Sequence, residues 1–188
     1  PMELSELAGR ITTAVAAKCQ RLGISVPALA FEPGRVIAGP AGITLYSVGT
    51  IKEVRITDQG AAATRKYVSV DGGMSDNVRP ALYEAEYSAN LASRSSDAEA
   101  VLSRVVGKHC ESGDIVVRHS MLPADVAVND LLAVPATGAY CFSLSSNYNY
   151  LPRPAVIAVK AGVVKVLIRA ETQRDLLNRD AGFEPGEA

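Results

Sequence analysis

The residues His109, Cys110 and Glu111 place an imidazole, a thiol and a carboxylate on three consecutive positions, within the run Gly107-Lys-His-Cys-Glu-Ser-Gly-Asp114. Those groups could form a nucleophile with its base, or begin a metal site. Along a strand, however, adjacent side chains point to opposite faces, which argues against a dyad among neighbours. A cysteine nucleophile needs a separately oriented base, and the chain holds only two histidines, His109 and His119. A zinc site needs more clustered soft ligands than occur here. From the residues alone, Cys110 reads best as a buried, apolar free thiol beside a surface glutamate.

Three other segments carry chemistry-bearing residues. Glu32-Pro33-Gly34-Arg35 follows an apolar stretch that reads as a strand, where a carboxylate could hold a ring nitrogen and a guanidinium could grip an anion. A Pro-Gly turn flanked by a surface ion pair is the alternative. Asp71-Gly72-Gly73-Met74 leads to Arg79-Pro80-Ala81-Leu82-Tyr83. The paired glycines could admit a ligand close to the backbone or serve a turn. Arg79 and Tyr83 are four apart, so on a helical turn they face one way and could share an anion, or simply pack together on the surface. Tyr140, after Gly138-Ala139 and before Ser145-Ser146-Asn147-Tyr148-Asn149, offers uncharged polar tips to a ligand or a ring to the core.

The elements that must position these groups follow from pattern. Leu4, Leu7, Ile11, Ala14, Val15 and Leu22 recur at helical spacing, with Gly23 placed to end the helix. Ile24–Phe31 reads as a strand, making one αβ unit with that helix. Strands are expected at Ile43–Thr57, Lys66–Asp71, Ala100–Val106, Ile115–Arg118, Asp130–Val134, Pro154–Lys160 and Val163–Arg169, with a hairpin turn at Ala161-Gly162. Short helices are expected near Gly138–Ser146 and Thr172–Asn178. The fold class is therefore mainly β: an antiparallel barrel or sandwich at residues 40–188, preceded at 1–39 by the tail end of an α/β barrel.

Composition sets bounds. The chain has 188 residues, 48% apolar and 21% charged, with a net charge of −1. Basic clusters are lacking, so nucleic-acid and membrane-surface binding have no electrostatic support. Three widely spaced cysteines argue against a disulfide framework and for a reducing, cytoplasmic setting.

Taken in order, Glu-Pro-Gly-Arg, Asp-Gly-Gly-Met with Arg-Pro-Ala-Leu-Tyr, Cys-Glu-Ser-Gly-Asp, and Gly-Ala-Tyr with Ser-Ser-Asn-Tyr-Asn resemble the meso-diaminopimelate decarboxylases, of the fold-type III pyridoxal-phosphate decarboxylase family. The similarity runs from about Leu4 to Leu177. It implies a (β/α)8 barrel holding pyridoxal 5'-phosphate, joined to a β-rich C-terminal domain, in a homodimer with shared active sites. It implies that Glu32 pairs with the cofactor's ring nitrogen, in a cofactor-binding turn with Pro33 and Gly34. Arg35 would meet the cofactor phosphate or the substrate carboxylate. Arg79 and Tyr83 would hold the distal carboxylate of diaminopimelate, and Tyr140 would contact both cofactor and substrate. Cys110 and Glu111 would serve the partner subunit's site, Glu111 on the distal ammonium and Cys110 as proton donor. The reaction implied is meso-2,6-diaminopimelate to L-lysine and CO2.

The family's cofactor-linking lysine has no counterpart among Lys18, Lys52, Lys66, Lys108, Lys160 or Lys165. The chain is thus expected to be a C-terminal portion, inactive by itself and prone to self-association through its first helix and Val26–Phe31. The competing readings are an ornithine or arginine decarboxylase piece and a non-catalytic dimerisation module.

Overall fold

The computed structural model describes residues 3–58 and 61–182, with the side chains of residues 58 and 61 left aside. It divides into two units, Pro1–Pro33 and Gly34–Ala188. In the first, helix α1 spans Leu4–Leu22. Gly23 closes it with a left-handed backbone, and the N–H groups of Gly23 and Ile24 cap the carbonyls of Gln20 and Cys19. Residues 24–33 have no regular structure and are exposed. The strand expected at Ile24–Phe31 does not form: a strand must exchange hydrogen bonds with a neighbour, and no described strand pairs with it.

The second unit opens with a short helix α2, Gly34–Ala38, and a 3-10 turn, Gly39–Ala41. A six-stranded sheet follows in the order β3-β6-β1-β2-β4-β5. Its strands are β1 Ile43–Asp58, β2 Ala61–Val70, β3 Asn90–Leu91, β4 Ala100–Val106, β5 Ile115–Pro123 and β6 Leu131–Pro135. Strands β3 and β5, at opposite ends of that order, approach each other, so the ribbon nearly closes into a barrel. All pairs are antiparallel except β2 with β4. That parallel pair requires a long crossover, and residues 71–99 supply it, carrying Gly72-Gly73, helix α3 (Arg79–Tyr83) and the unforeseen β3.

Strand β1 is long enough to serve two neighbours. Its first part, Ile43–Ser47, pairs with β6, and the part from Val48 onward pairs with β2, with a register shift between Val48 and Ile51. Alternation then sends Tyr46, Val48, Val68, Val70, Val105, Leu122, Leu132 and Val134 inward as the core. A separate hairpin of β7 (Val156–Lys160) and β8 (Val163–Ile168) turns at Ala161-Gly162, both with positive φ. Helix α4, Gln173–Leu177, is held by a capping box between Thr172 and Asp175.

The helix expected near Gly138–Ser146 is replaced by consecutive turns. Tyr140 sits in the left-handed region at φ 68°, and the N–H of Ser146 leaves the segment to bond the carbonyl of Ser75 at 2.8 Å. Either departure interrupts a helical ladder.

Candidate functional site

The loop after β2 organises the site. Asp71 fixes the strand exit by a reciprocal pair with Ser47, N–H to carbonyl at 3.1 Å and Ser47 N–H to Asp71 Oδ1 at 2.8 Å. The backbone of Gly72 then lies against the Tyr46 ring, so closely that a Cβ would overlap it. At Gly73 a Cβ would come within 2.5 Å of Asp114 Oδ1 and 2.8 Å of His109 Nδ1. The paired glycines thus serve internal packing, where any side chain would displace a buried carboxylate. Asp76 accepts from the N–H of Gly73 at 2.8 Å and from the Tyr46 hydroxyl. Burial raises the Asp76 carboxyl; it also pushes the Tyr46 phenol well above its ordinary value, with the Asp76 charge adding to that rise.

Helix α3 presents Arg79 and Tyr83 on one side, as the four-residue spacing predicts. The Arg79 guanidinium carbon is 5.7 Å from the Tyr83 ring centre and 5.5 Å from that of Tyr140. Arg79 is only 8% exposed, whereas Tyr83 is 61% and Tyr140 50% exposed. This is more than surface packing. Among the described residues no carboxylate pairs with Arg79, and its Nε is buried without a hydrogen-bond partner. A buried cation flanked by π-faces and without a paired carboxylate among the described residues has the chemistry to take up an anion.

Underneath lies a polar brace that the sequence did not announce. Asn77 Oδ1 accepts from the N–H of Arg79 at 3.3 Å and from the Cys141 thiol at 3.5 Å. Cys141 Sγ also meets the Tyr87 hydroxyl at 3.6 Å. Burial raises both the Cys141 thiol and the Tyr87 phenol; Arg79 pulls the other way on each. These residues lie 64 and 54 positions from Cys141, so no local pattern could have joined them.

Tyr140 is held from the other side by a crossing of two chain segments. The N–H groups of Thr137 and Gly138 bond the carbonyls of Gly42 and Gly39, each at 3.1 Å. Thr44 and Thr137 join through their hydroxyls at 2.9 Å. Gly138 is so near the Ala38 carbonyl and Gly42 that a side chain would overlap both. The crossing sets α2, with exposed Arg35, beside the Tyr140 turn, and the Arg35 charge is felt at Cys141.

Cys110 and Glu111 lie in the loop between β4 and β5 and are exposed. This corrects the reading of Cys110 as a buried thiol: the buried member of the trio is His109, which turns inward to Asp114 and leaves the next two residues facing outward. The loop is not a strand, so the alternation of faces does not apply to it. Among the described residues no cluster could hold a metal ion. None of the hydrogen bonds, ion pairs or ring contacts among them joins Cys110 or Glu111 to Arg79, Tyr83 or Tyr140. Glu32 and Pro33 belong to the first unit, exposed and without regular structure, and Gly34 begins α2. Among the described residues no helix is long and apolar enough to cross a membrane.

Residues 35–138 match the pyridoxal-dependent decarboxylase C-terminal sheet domain. The diaminopimelate decarboxylase of Mycobacterium tuberculosis (strain H37Rv) is 56% identical over 178 residues, covering 95% of this chain and 39% of that relative. The crystal structure of diaminopimelate decarboxylase from M. jannaschi superposes with a TM-score of 0.74 at 32% identity, over 92% of this chain and 38% of that one. The Helicobacter pylori diaminopimelate decarboxylase complexed with L-lysine gives 0.66 at 30%, over 78% and 34%. The chain thus spans roughly two-fifths of the length of these relatives. A barrel-like sheet, a matched sheet domain and curated relatives at this identity lead to one conclusion: the chain belongs to the pyridoxal-dependent decarboxylase family, residues 35–138 forming its C-terminal sheet domain.

Proposed function

We propose that this chain is the C-terminal portion of a pyridoxal-phosphate enzyme that decarboxylates meso-2,6-diaminopimelate to L-lysine. The observation that carries the reading is Arg79, buried, without a carboxylate partner and flanked by Tyr83 and Tyr140. A substrate with a distal carboxylate supplies the missing anion. Ornithine and arginine have none, and would leave the guanidinium buried and unneutralised.

The residues fit a phosphate-bearing cofactor as well. Arg35 has no carboxylate partner among the described residues, and the Tyr140 hydroxyl donates no hydrogen bond to them. Arg35, in the first turn of α2, would hold the cofactor phosphate or the substrate carboxylate, and Tyr140 would contact cofactor and substrate. Glu32 would keep a proton on the ring nitrogen. When bound, the cofactor supplies a sink for the electron pair left behind as the carboxylate departs as CO2. Arg79 and the Tyr83 hydroxyl would grip the distal carboxylate and so orient the substrate. Glu111, exposed on its loop, would bind the distal ammonium of a substrate in a second subunit's site. The Cys110 thiol would deliver a proton there to the carbon that lost CO2, in a homodimer with shared sites.

No lysine of this chain lies in a cofactor-linking motif, so the 188 residues alone are proposed to be inactive. Incubation with pyridoxal phosphate and borohydride should leave no labelled lysine in an active-site peptide and no CO2 release. In the longer enzyme, turnover of diaminopimelate should exceed that of ornithine; the reverse preference would sink the substrate assignment.

A further inference from the structure

We infer that Asp114 and His109 are positioning residues that hold the exposed Cys110–Glu111 pair in a fixed geometry. The inference rests on the reading that this pair serves the reaction.

The loop at residues 107–114 joins two antiparallel strands that part after Val106 and Ile115. A connection of that length is not a tight hairpin turn, and without internal partners it would be mobile. Asp114 supplies the partners. Its Oδ2 accepts from both the backbone N–H and the Nδ1–H of His109, each at 2.8 Å. Its Oδ1 accepts from the N–H of Met74 at 2.7 Å, reaching across to the loop after β2. The two side chains are almost wholly buried, at 0% and 2% exposure. Gly73 closes over them with no room for a side chain. A buried carboxylate with three donors is a rigid anchor.

The anchor sits one residue from the groups it presents. His109 is locked inward, its ring stacked on Tyr148 at 5.5 Å and 14°. Further bonds close the loop: Lys108 N–H to the Gly72 carbonyl at 3.0 Å, and Glu111 N–H to the His109 carbonyl at 2.8 Å. Cys110 thus projects from a backbone fixed on both sides. A proton donor and an ammonium ligand gain from such pre-set geometry, since small misplacements of catalytic groups lower rates steeply.

The test uses Asp114→Asn, His109→Ala and His109→Asn. In the 188-residue chain, amide order parameters of Cys110 and Glu111 should fall from about 0.85 to below about 0.6 in Asp114→Asn and His109→Ala, while β4 and β5 stay rigid. His109→Asn should restore loop order, because its side-chain amide can replace the Nδ1–H donor. If Asp114→Asn does not fold, the two His109 variants carry the comparison. In the complete decarboxylase, His109→Ala should lower kcat on the order of 100-fold with cofactor affinity unchanged, and His109→Asn should recover most of it. Unaltered loop order in Asp114→Asn and His109→Ala overturns the inference. A loosened loop with undiminished turnover overturns the catalytic assignment of Cys110 and Glu111 on which it rests.

Discussion

The guanidinium of Arg79 lies over the ring of Tyr140, 5.5 Å from its centre, although Arg79 belongs to the crossover between β2 and β4 and Tyr140 to the turns after β6. Tyr83 supplies a second ring at 5.7 Å. The cation is therefore oriented by flat faces, which suit the planar guanidinium better than a compact ammonium. Arg79→Lys keeps the charge but loses the planar fork. In the longer enzyme proposed above it should lower kcat/KM for diaminopimelate by roughly 10–100-fold, the value of a charged hydrogen bond. Arg79→Ala should lower it further and narrow the preference over ornithine. Steady-state kinetics on both substrates check this, and an Arg79→Lys enzyme with unchanged kcat/KM would remove the carboxylate role.

Gly138 makes a prediction about stability. Its neighbours at the crossing are backbone atoms, the Ala38 carbonyl and Gly42, which cannot rotate aside as a side chain can. Gly138→Ala must push two segments apart and break the Thr137 and Gly138 hydrogen bonds to Gly42 and Gly39. A loss of about 1–3 kcal/mol is expected, typical of overpacking. The urea midpoint reports it, and Tyr140 ought to move with the segment.

Strands β1, β4 and β6 were legible within a residue or two because one face of the sheet is buried, while β2 and β5 run about five residues beyond the expected Lys66 start and Arg118 end. Strands β7 and β8 were legible from their Val and Ile content and the Ala161-Gly162 turn, not from burial. The Arg79–Tyr83 face was legible for the same kind of reason, since helical spacing is local. What escaped depends on distant partners. Ile24–Phe31 has the composition of a strand but no paired neighbour. Cys110 looks like a core thiol until His109 is seen to take the interior place, through Asp114. Tyr140 looks like part of a helix until Gly138 is seen wedged against Gly42. Each miss turns on a contact, made or lacking, that overrides a sound local preference: no partner for Ile24–Phe31, a five-residue link from His109 to Asp114, and a long-range wedge at Gly138.

Arg94, just after β3, ties together the connection between β5 and β6. It binds Asp130 through Nε at 3.0 Å and Nη2 at 2.9 Å, and Asp125 through Nη1 at 2.8 Å. Those bonds, then the N–H of Ala127, hold the Asp130 carboxyl down at about 2. An unfolded aspartate titrates near 4. A depressed carboxyl stabilises the fold above its unfolded value and loses that contribution as pH falls from about 4 toward 2. Arg94→Met should therefore lower the urea midpoint at pH 7, and the gap from the parent chain should close as pH falls below 4. The difference should be modest, because Arg94 and Asp125 are substantially exposed. A gap independent of pH would mean that the arginine acts by packing alone.

The β7–β8 hairpin exposes apolar side chains on both of its faces. Val164 and Val166 lie on one side of β8 and Val163 on the other, and Ile168, past a register shift that pairs it with Val156, turns to the Val163 side; all are exposed, as are Leu167 and, on β7, Ile157 and Val159. The hairpin is a two-stranded sheet of its own, with two unpaired edges. Such a ribbon is marginal in water unless something covers it, and an apolar patch of this kind favours association. The 188-residue chain should sediment with a mass that rises with concentration. Val164→Lys with Val166→Lys puts two charges on one face without changing the register. That double variant should shift the chain toward monomer, with β1 to β6 intact by circular dichroism. A parent chain that stays monomeric at every concentration, or a variant that associates as strongly, would show that these faces are not adhesive.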